Sequence, residues 1–134
     1  MTERPASPRG APTPEEPVVL VVDDDPSLRE ALSSLLRSVG LRVEVFGSAP
    51  ELLETALPDA ACCLVLDIRL PKRSGLDFQS ELIKANIQIP IIFITAYDDA
   101  EIRAQAMKEG AVEVLKKPFD HQLLLKTLRA NLDR

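Results

Sequence analysis

Three carboxylates, a hydroxyl and an ammonium group stand at the ends of short apolar runs in this 134-residue chain. Asp23 and Asp24 follow Val18–Val22, Asp67 follows Cys62–Leu66, and Thr95 follows Pro90–Ile94. Lys117, with Pro118 after it, comes just beyond Val112–Leu115. Carboxylates gathered in one crevice repel each other and raise one another's pKa unless a cation sits among them. Oxygen ligands with room for water suit Mg²⁺, which prefers octahedral geometry and rarely fills its shell with protein atoms alone. A cation so held can bridge a carboxylate to a phosphoryl oxygen. Lys117 and Thr95 can meet the remaining oxygens as cation and hydroxyl donor. A carboxylate that attacks phosphorus gives an acyl phosphate, so the residue types point to phosphoryl chemistry.

Whether these groups meet depends on the elements that carry them. Val18–Val22 is a continuous apolar run, the mark of a strand covered on both faces. Asp25 is placed to cap a helix with Pro26 at its first position. Leu28, Ala31, Leu32, Leu35, Leu36 and Val39 follow at helical spacing, and Gly40 stops the run. Val43–Phe46 reads as a second strand, and Ser48 with Glu51 as a capping box for a short helix holding Leu52 and Leu53. A third strand at Cys62–Leu66 precedes a helix through Leu76, Leu82 and Ile83. A fourth, at Pro90–Ile94, precedes a helix over about 99–109 closed by Gly110. Val112–Leu115 is the fifth strand, and Leu124, Leu125, Leu128 and Leu132 mark the last helix. Five strands alternating with five helices imply right-handed crossovers and a parallel sheet between two helical layers. Ligands of such a sheet bind beyond the carboxyl ends of its strands, where the strand order reverses. The five polar groups fall at that edge.

Composition narrows the field further. The net charge of −5 gives no general attraction to nucleic acid or an anionic membrane, so any contact with DNA belongs to another domain or partner. No apolar run approaches the roughly 20 residues of a membrane span. The N-terminus lacks an apolar signal region, which places the protein in the cytoplasm. Residues 1–17 carry Pro5, Pro8, Pro12, Pro14 and Pro17 without apolar periodicity and read as a disordered tail before one domain at 18–132. Cys62 and Cys63 are adjacent, point to opposite faces of a strand, and read as buried residues and not as a disulfide or zinc pair.

VVDDDP at 21–26, LVLDIRLPKRSG at 64–75, ITA at 94–96 and KKPF at 116–119 together resemble the receiver domains of two-component response regulators. The likeness covers about residues 18–132 and is greatest to receivers of the class with a helix-turn-helix output domain. It implies a flavodoxin-like (βα)5 sandwich with strand order 2-1-3-4-5. It also implies a phosphoacceptor regulatory domain, not an enzyme beyond its own phosphotransfer and autodephosphorylation. Asp67 matches the phosphoacceptor, and Asp23 and Asp24 the metal-binding pair, with Asp24 the more direct ligand. The backbone carbonyl of Arg69 matches the remaining protein ligand to Mg²⁺. Thr95 matches the switch hydroxyl, Lys117 the lysine that contacts the phosphoryl group, and Lys117–Pro118 a peptide bond that is usually cis. A sensor histidine kinase would be the donor, and phosphorylation would promote homodimerisation through the fourth helix, fifth strand and fifth helix.

Val114 departs from the family, which often carries an aromatic there to couple to the switch hydroxyl. The resemblance makes Arg69 and Tyr97, each two residues beyond a site residue, tuners of acyl-phosphate lifetime, although Tyr97 reads equally as an ordinary surface aromatic. Asp25 falls outside the metal pair and reads as a helix cap. His121, the single histidine, reads as a solvated first-turn residue, and Arg103 and Lys108 as a solvated face. Two other classes compete: a binding module that has kept the fold but not the switch, and a Mg²⁺-dependent phosphohydrolase with an aspartyl nucleophile. The chain is short for the cap domain of such a hydrolase. A nucleotide-binding sheet would need a glycine-rich turn where Asp23–Pro26 stands.

Overall fold

Every residue of β1 (Val18–Val22) is buried, as expected of a strand with helices on both faces. A computed structural model describes residues 17–53, 62–70, 73–97 and 99–132; of the tail read at 1–17, all but Pro17 lies outside the described residues. Around β1 lie β2 (Arg42–Phe46), β3 (Cys62–Asp67), β6 (Ile91–Thr95) and β7 (Glu113–Lys116). All pair in parallel, in the order β2-β1-β3-β6-β7. A two-residue antiparallel ribbon, β4 (Arg69–Leu70) with β5 (Arg73–Ser74), stands apart from this sheet. With the ribbon set aside the order is 2-1-3-4-5, so the fold is the expected flavodoxin-like sandwich. The ribbon's two-residue strands are too short to leave a periodic pattern in the sequence.

The pleat divides the core in two. Val19, Val21, Cys63, Val65, Ile92 and Ile94 face α1 (Pro26–Ser38) and α5 (His121–Leu132), which bury Leu32, Leu36, Leu124, Leu125, Leu128 and Leu132. Val18, Leu20, Val22, Leu64, Leu66 and Phe93 face the other layer, formed by α2 (Ala49–Leu53), α3 (Gly75–Lys84) and α4 (Ala100–Lys108). Each fully buried Leu, Ile or Phe stabilises by about 1.5–3 kcal/mol. On that scale α4 is weakly held, since Ala106 is its one buried residue and Ile102 only packs against the core.

Several inward-facing expectations shift. Ile83 is 49% exposed, because α3 starts at Gly75 and its buried stripe runs Gly75, Phe78, Gln79 and Leu82. Ala31 points outward. Cys63 is buried as expected, while the side chain of Cys62 lies outside the described set. Asp25 caps α1 by accepting the Ser27 N–H at 2.9 Å. At α2 the Ser48 hydroxyl accepts the Glu51 N–H at 3.4 Å and donates to the Glu51 carboxylate at 3.3 Å, and a second capping box, not foreseen, sits on α3, where Ser74 and Asp77 exchange bonds. Gly40 and Gly110 adopt positive φ just past α1 and α4, which a glycine does without steric cost.

Candidate functional site

Strand ends set the positions of the polar groups. β3 and β6 each run one residue further than their apolar runs, so Asp67 and Thr95 are the last residues of their strands, held in the sheet. Asp67 pairs with Ile94, and the Ile68 N–H donates to the Ile94 carbonyl at 3.0 Å. Asp23, one residue past β1, is anchored by its N–H on the Phe46 carbonyl at 3.1 Å. The Lys117 N–H donates to the Thr95 carbonyl at 2.7 Å, and the Lys117–Pro118 bond is cis.

Lys117 Nζ lies between two buried carboxylates, 3.0 Å from Asp23 Oδ2 and 3.2 Å from Asp67 Oδ2. The other oxygen of Asp67 accepts the Arg69 N–H at 2.9 Å, and that of Asp23 accepts the Asp25 N–H at 2.8 Å. Asp24 is exposed, yet Asp23, Asp24 and Asp67 each offer an oxygen within 4.8 Å of the others. Burial pushes the Asp67 carboxyl up from 3.8 to about 6, and the charge of Asp23 adds to the rise against the opposing pulls of the Arg69 N–H and Lys117. Burial works against the Lys117 ammonium, but its hydrogen bond to Asp23 and the charges of Asp67 and Asp23 outweigh it and raise its pKa. One lysine against three carboxylates leaves the cluster short of positive charge, and an all-oxygen donor set fits Mg²⁺.

Thr95 does not point its hydroxyl at Asp67. It donates to the Tyr97 carbonyl and accepts from the Tyr97 N–H, both at 3.1 Å. The Tyr97 ring, 57% exposed, carries the Arg69 guanidinium 4.0 Å above its centre. Val114 is buried in β7 opposite Phe93. His121 starts α5 on the surface, its ring 5.9 Å from that of Phe119. Arg103 is not simply solvated: it pairs with Glu113 of β7 at 3.5 Å, while Lys108 is exposed.

Sequence reasoning assigned no role to three residues that shape this region. A Cβ on Gly75 would lie 2.5 Å from the Asp67 carbonyl oxygen and 3.0 Å from Phe93, so only glycine lets α3 start against β3. Its place at the end of the LVLDIRLPKRSG run was the available signal. Arg29 donates to the Asp23 carbonyl at 2.8 Å. Gln79, buried in α3, donates to the Ala106 carbonyl of α4 at 3.2 Å, a contact across 27 residues that no local pattern encodes.

An open parallel sheet with an acidic cluster, a hydroxyl and a lysine at the carboxyl ends of β1, β3, β6 and β7 defines the class, and the chain belongs to the response regulator receiver domain family, which matches residues 19–129. It is 54% identical over 117 residues to nodulation protein W of Bradyrhizobium diazoefficiens, covering 87% of this chain and 52% of that protein. It is 39% identical over 121 residues to the transcriptional regulatory protein FixJ of Azorhizobium caulinodans, covering 90% and 57%. Among solved structures, response regulator StyR superposes with a TM-score of 0.81 at 48% identity, over 87% of this chain and 59% of that one. Full-length FixJ from B. japonicum gives 0.76 at 34%, over 86% and 57%. The chain spans about half the length of the curated relatives it matches. No helix among the described residues is long and apolar enough to cross a membrane.

Proposed function

We propose that residues 18–132 form a phosphorylation switch in which Asp67 accepts a phosphoryl group from a histidine of a sensor kinase, or from a small donor. The reading rests on one observation above the others: Asp67 is buried, and its Oδ2 lies 3.2 Å from a lysine that also holds Asp23. An Asp67 oxygen attacks phosphorus, an O–P bond forms, and the bond to the donor's nitrogen or oxygen breaks with its electron pair leaving on the donor. Lys117 moves from bridging two carboxylates to meeting a phosphoryl oxygen, and Thr95 turns its hydroxyl to another. Asp23, Asp24, Asp67 and the Arg69 backbone carbonyl would hold Mg²⁺. Bound there, it would supply the charge neutralisation that phosphoryl transfer needs. Arg69 and Tyr97 would slow the attack of water on the acyl phosphate.

The added charge, about −1.5 to −2 for a phosphate at neutral pH, would shift a two-state surface formed by α4, β7 and α5. Homodimerisation through that face, and control of transcription through an attached or partner DNA-binding domain in the cytoplasm, are the outputs we infer. Relatives named as transcriptional regulators support this output. Phosphoramidate or acetyl phosphate, with and without Mg²⁺, tests the chemistry by intact mass. We expect a Mg²⁺-dependent gain of one phosphoryl group that Asp67→Asn abolishes. No adduct, or one indifferent to Asp67, would favour a constitutive binding module instead.

A further inference from the structure

We infer that Thr95 latches Tyr97 through two hydrogen bonds, and that phosphorylation of Asp67 releases this latch and unstacks Tyr97 from Arg69. The inference rests on the reading of Asp67 as phosphoacceptor and adds the residue that carries the change to the surface. The Thr95 hydroxyl donates to the Tyr97 carbonyl and accepts from the Tyr97 N–H, both at 3.1 Å. A hydroxyl has a single proton to donate. Giving that proton to a phosphoryl oxygen on Asp67 means giving up the Tyr97 carbonyl, and the rotation that moves the oxygen also abandons the Tyr97 N–H. Both backbone groups of Tyr97 then exchange Thr95 for water.

The other half of the stack is tied to the same carboxylate. Arg69 donates its N–H to Asp67 Oδ1 at 2.9 Å while its guanidinium covers the Tyr97 ring at 4.0 Å. A group added to Asp67 therefore disturbs both partners, Arg69 through its backbone and Tyr97 through Thr95. The ring is 57% exposed, and an exposed cation–π contact is too weak to keep its geometry once the anchor is lost. β7 offers no ring to take over this task, since Val114 and not an aromatic is buried opposite Phe93. Tyr97 lies two residues before Asp99, the cap of α4, so its release acts at the start of the weakly held helix.

Tyr97 is the sole tyrosine and the chain has no tryptophan, so tyrosine emission reads this ring alone. The full chain is treated with Mg²⁺ and phosphoramidate, and emission and intact mass are followed in the same sample. We expect emission to change in step with the adduct and not with Mg²⁺ alone. Arg69→Gln and Thr95→Ala should each shift the resting emission before any phosphodonor is added, and Thr95→Ala should lose the change per mole of adduct, with Thr95→Ser restoring it. An adduct without an emission change overturns the latch while leaving the phosphoacceptor reading intact. A change that persists in Thr95→Ala removes Thr95 as the link and likewise overturns it. Absence of any adduct overturns the phosphoacceptor reading, and the latch with it.

Discussion

At Asp67 the fold works against its own stability. Its carboxyl titrates at about 6, above the ordinary 3.8, chiefly because burial disfavours the charged form. The folded chain thus binds a proton more tightly than the unfolded one, and the stability of the metal-free protein falls as pH rises from about 4 to about 6. Asp67→Asn removes the charge, so in chelator at pH 7 it should be more stable than the native chain by about 1–3 kcal/mol. Denaturant melts should show that gain vanishing below about pH 4, and Mg²⁺ should stabilise the native chain far more than the variant. Gly75→Ala has the opposite character. Its methyl would press on the Asp67 carbonyl and the Phe93 ring, which costs about 1–3 kcal/mol. Chemical denaturation with adduct yield should find both stability and phosphoryl acceptance reduced.

Between elements, the uneven burial of the helices governs which can move. α1 buries Leu32 and Leu36 and is capped by Asp25, whereas α4 buries only Ala106 and is tied to α3 by Gln79. Backbone amides of α4 should therefore exchange with deuterium faster than those of α1. Gln79→Ala should speed α4 further, at a cost of about 1 kcal/mol, without changing exchange in α1. Equal protection of the two helices would remove α4 as the movable element. Asp25→Ala should lower stability by about 1 kcal/mol by leaving the first turn of α1 uncapped, read from the shift of the denaturation midpoint.

For the molecule as a whole, the carboxyl edge of the sheet and the α4–β7–α5 face differ in character. The carboxyl edge gathers the charged groups, while the face beside it exposes Met107 of α4 and Leu123 of α5 near the Arg103–Glu113 pair. Sedimentation velocity should find the phosphorylated chain associating into dimers and Asp67→Asn remaining monomeric at the same concentration. Met107→Lys or Leu123→Lys should weaken that dimer without removing the phosphoryl adduct. A dimer equally present in Asp67→Asn would separate assembly from phosphorylation.

Much of this architecture was legible in the chain because strands buried on both faces must be continuously apolar, and helices packed on one face must repeat at three and four. The runs at Val18–Val22 and Cys62–Leu66 and the leucines of α5 show this directly. The parallel sheet followed from their alternation, and with it the placing of Asp23, Asp24, Asp67, Thr95 and Lys117 at one edge. Local pattern is silent, however, on contacts between residues far apart in sequence. Lys117 meets Asp23 across 94 residues and Asp67 across 50. The Arg69–Tyr97 stack, the Gln79 tie to α4 and the space denied to a side chain at Gly75 are of the same kind. So is the raised pKa of Asp67, since desolvation depends on everything packed around a group and not on its neighbours in the chain.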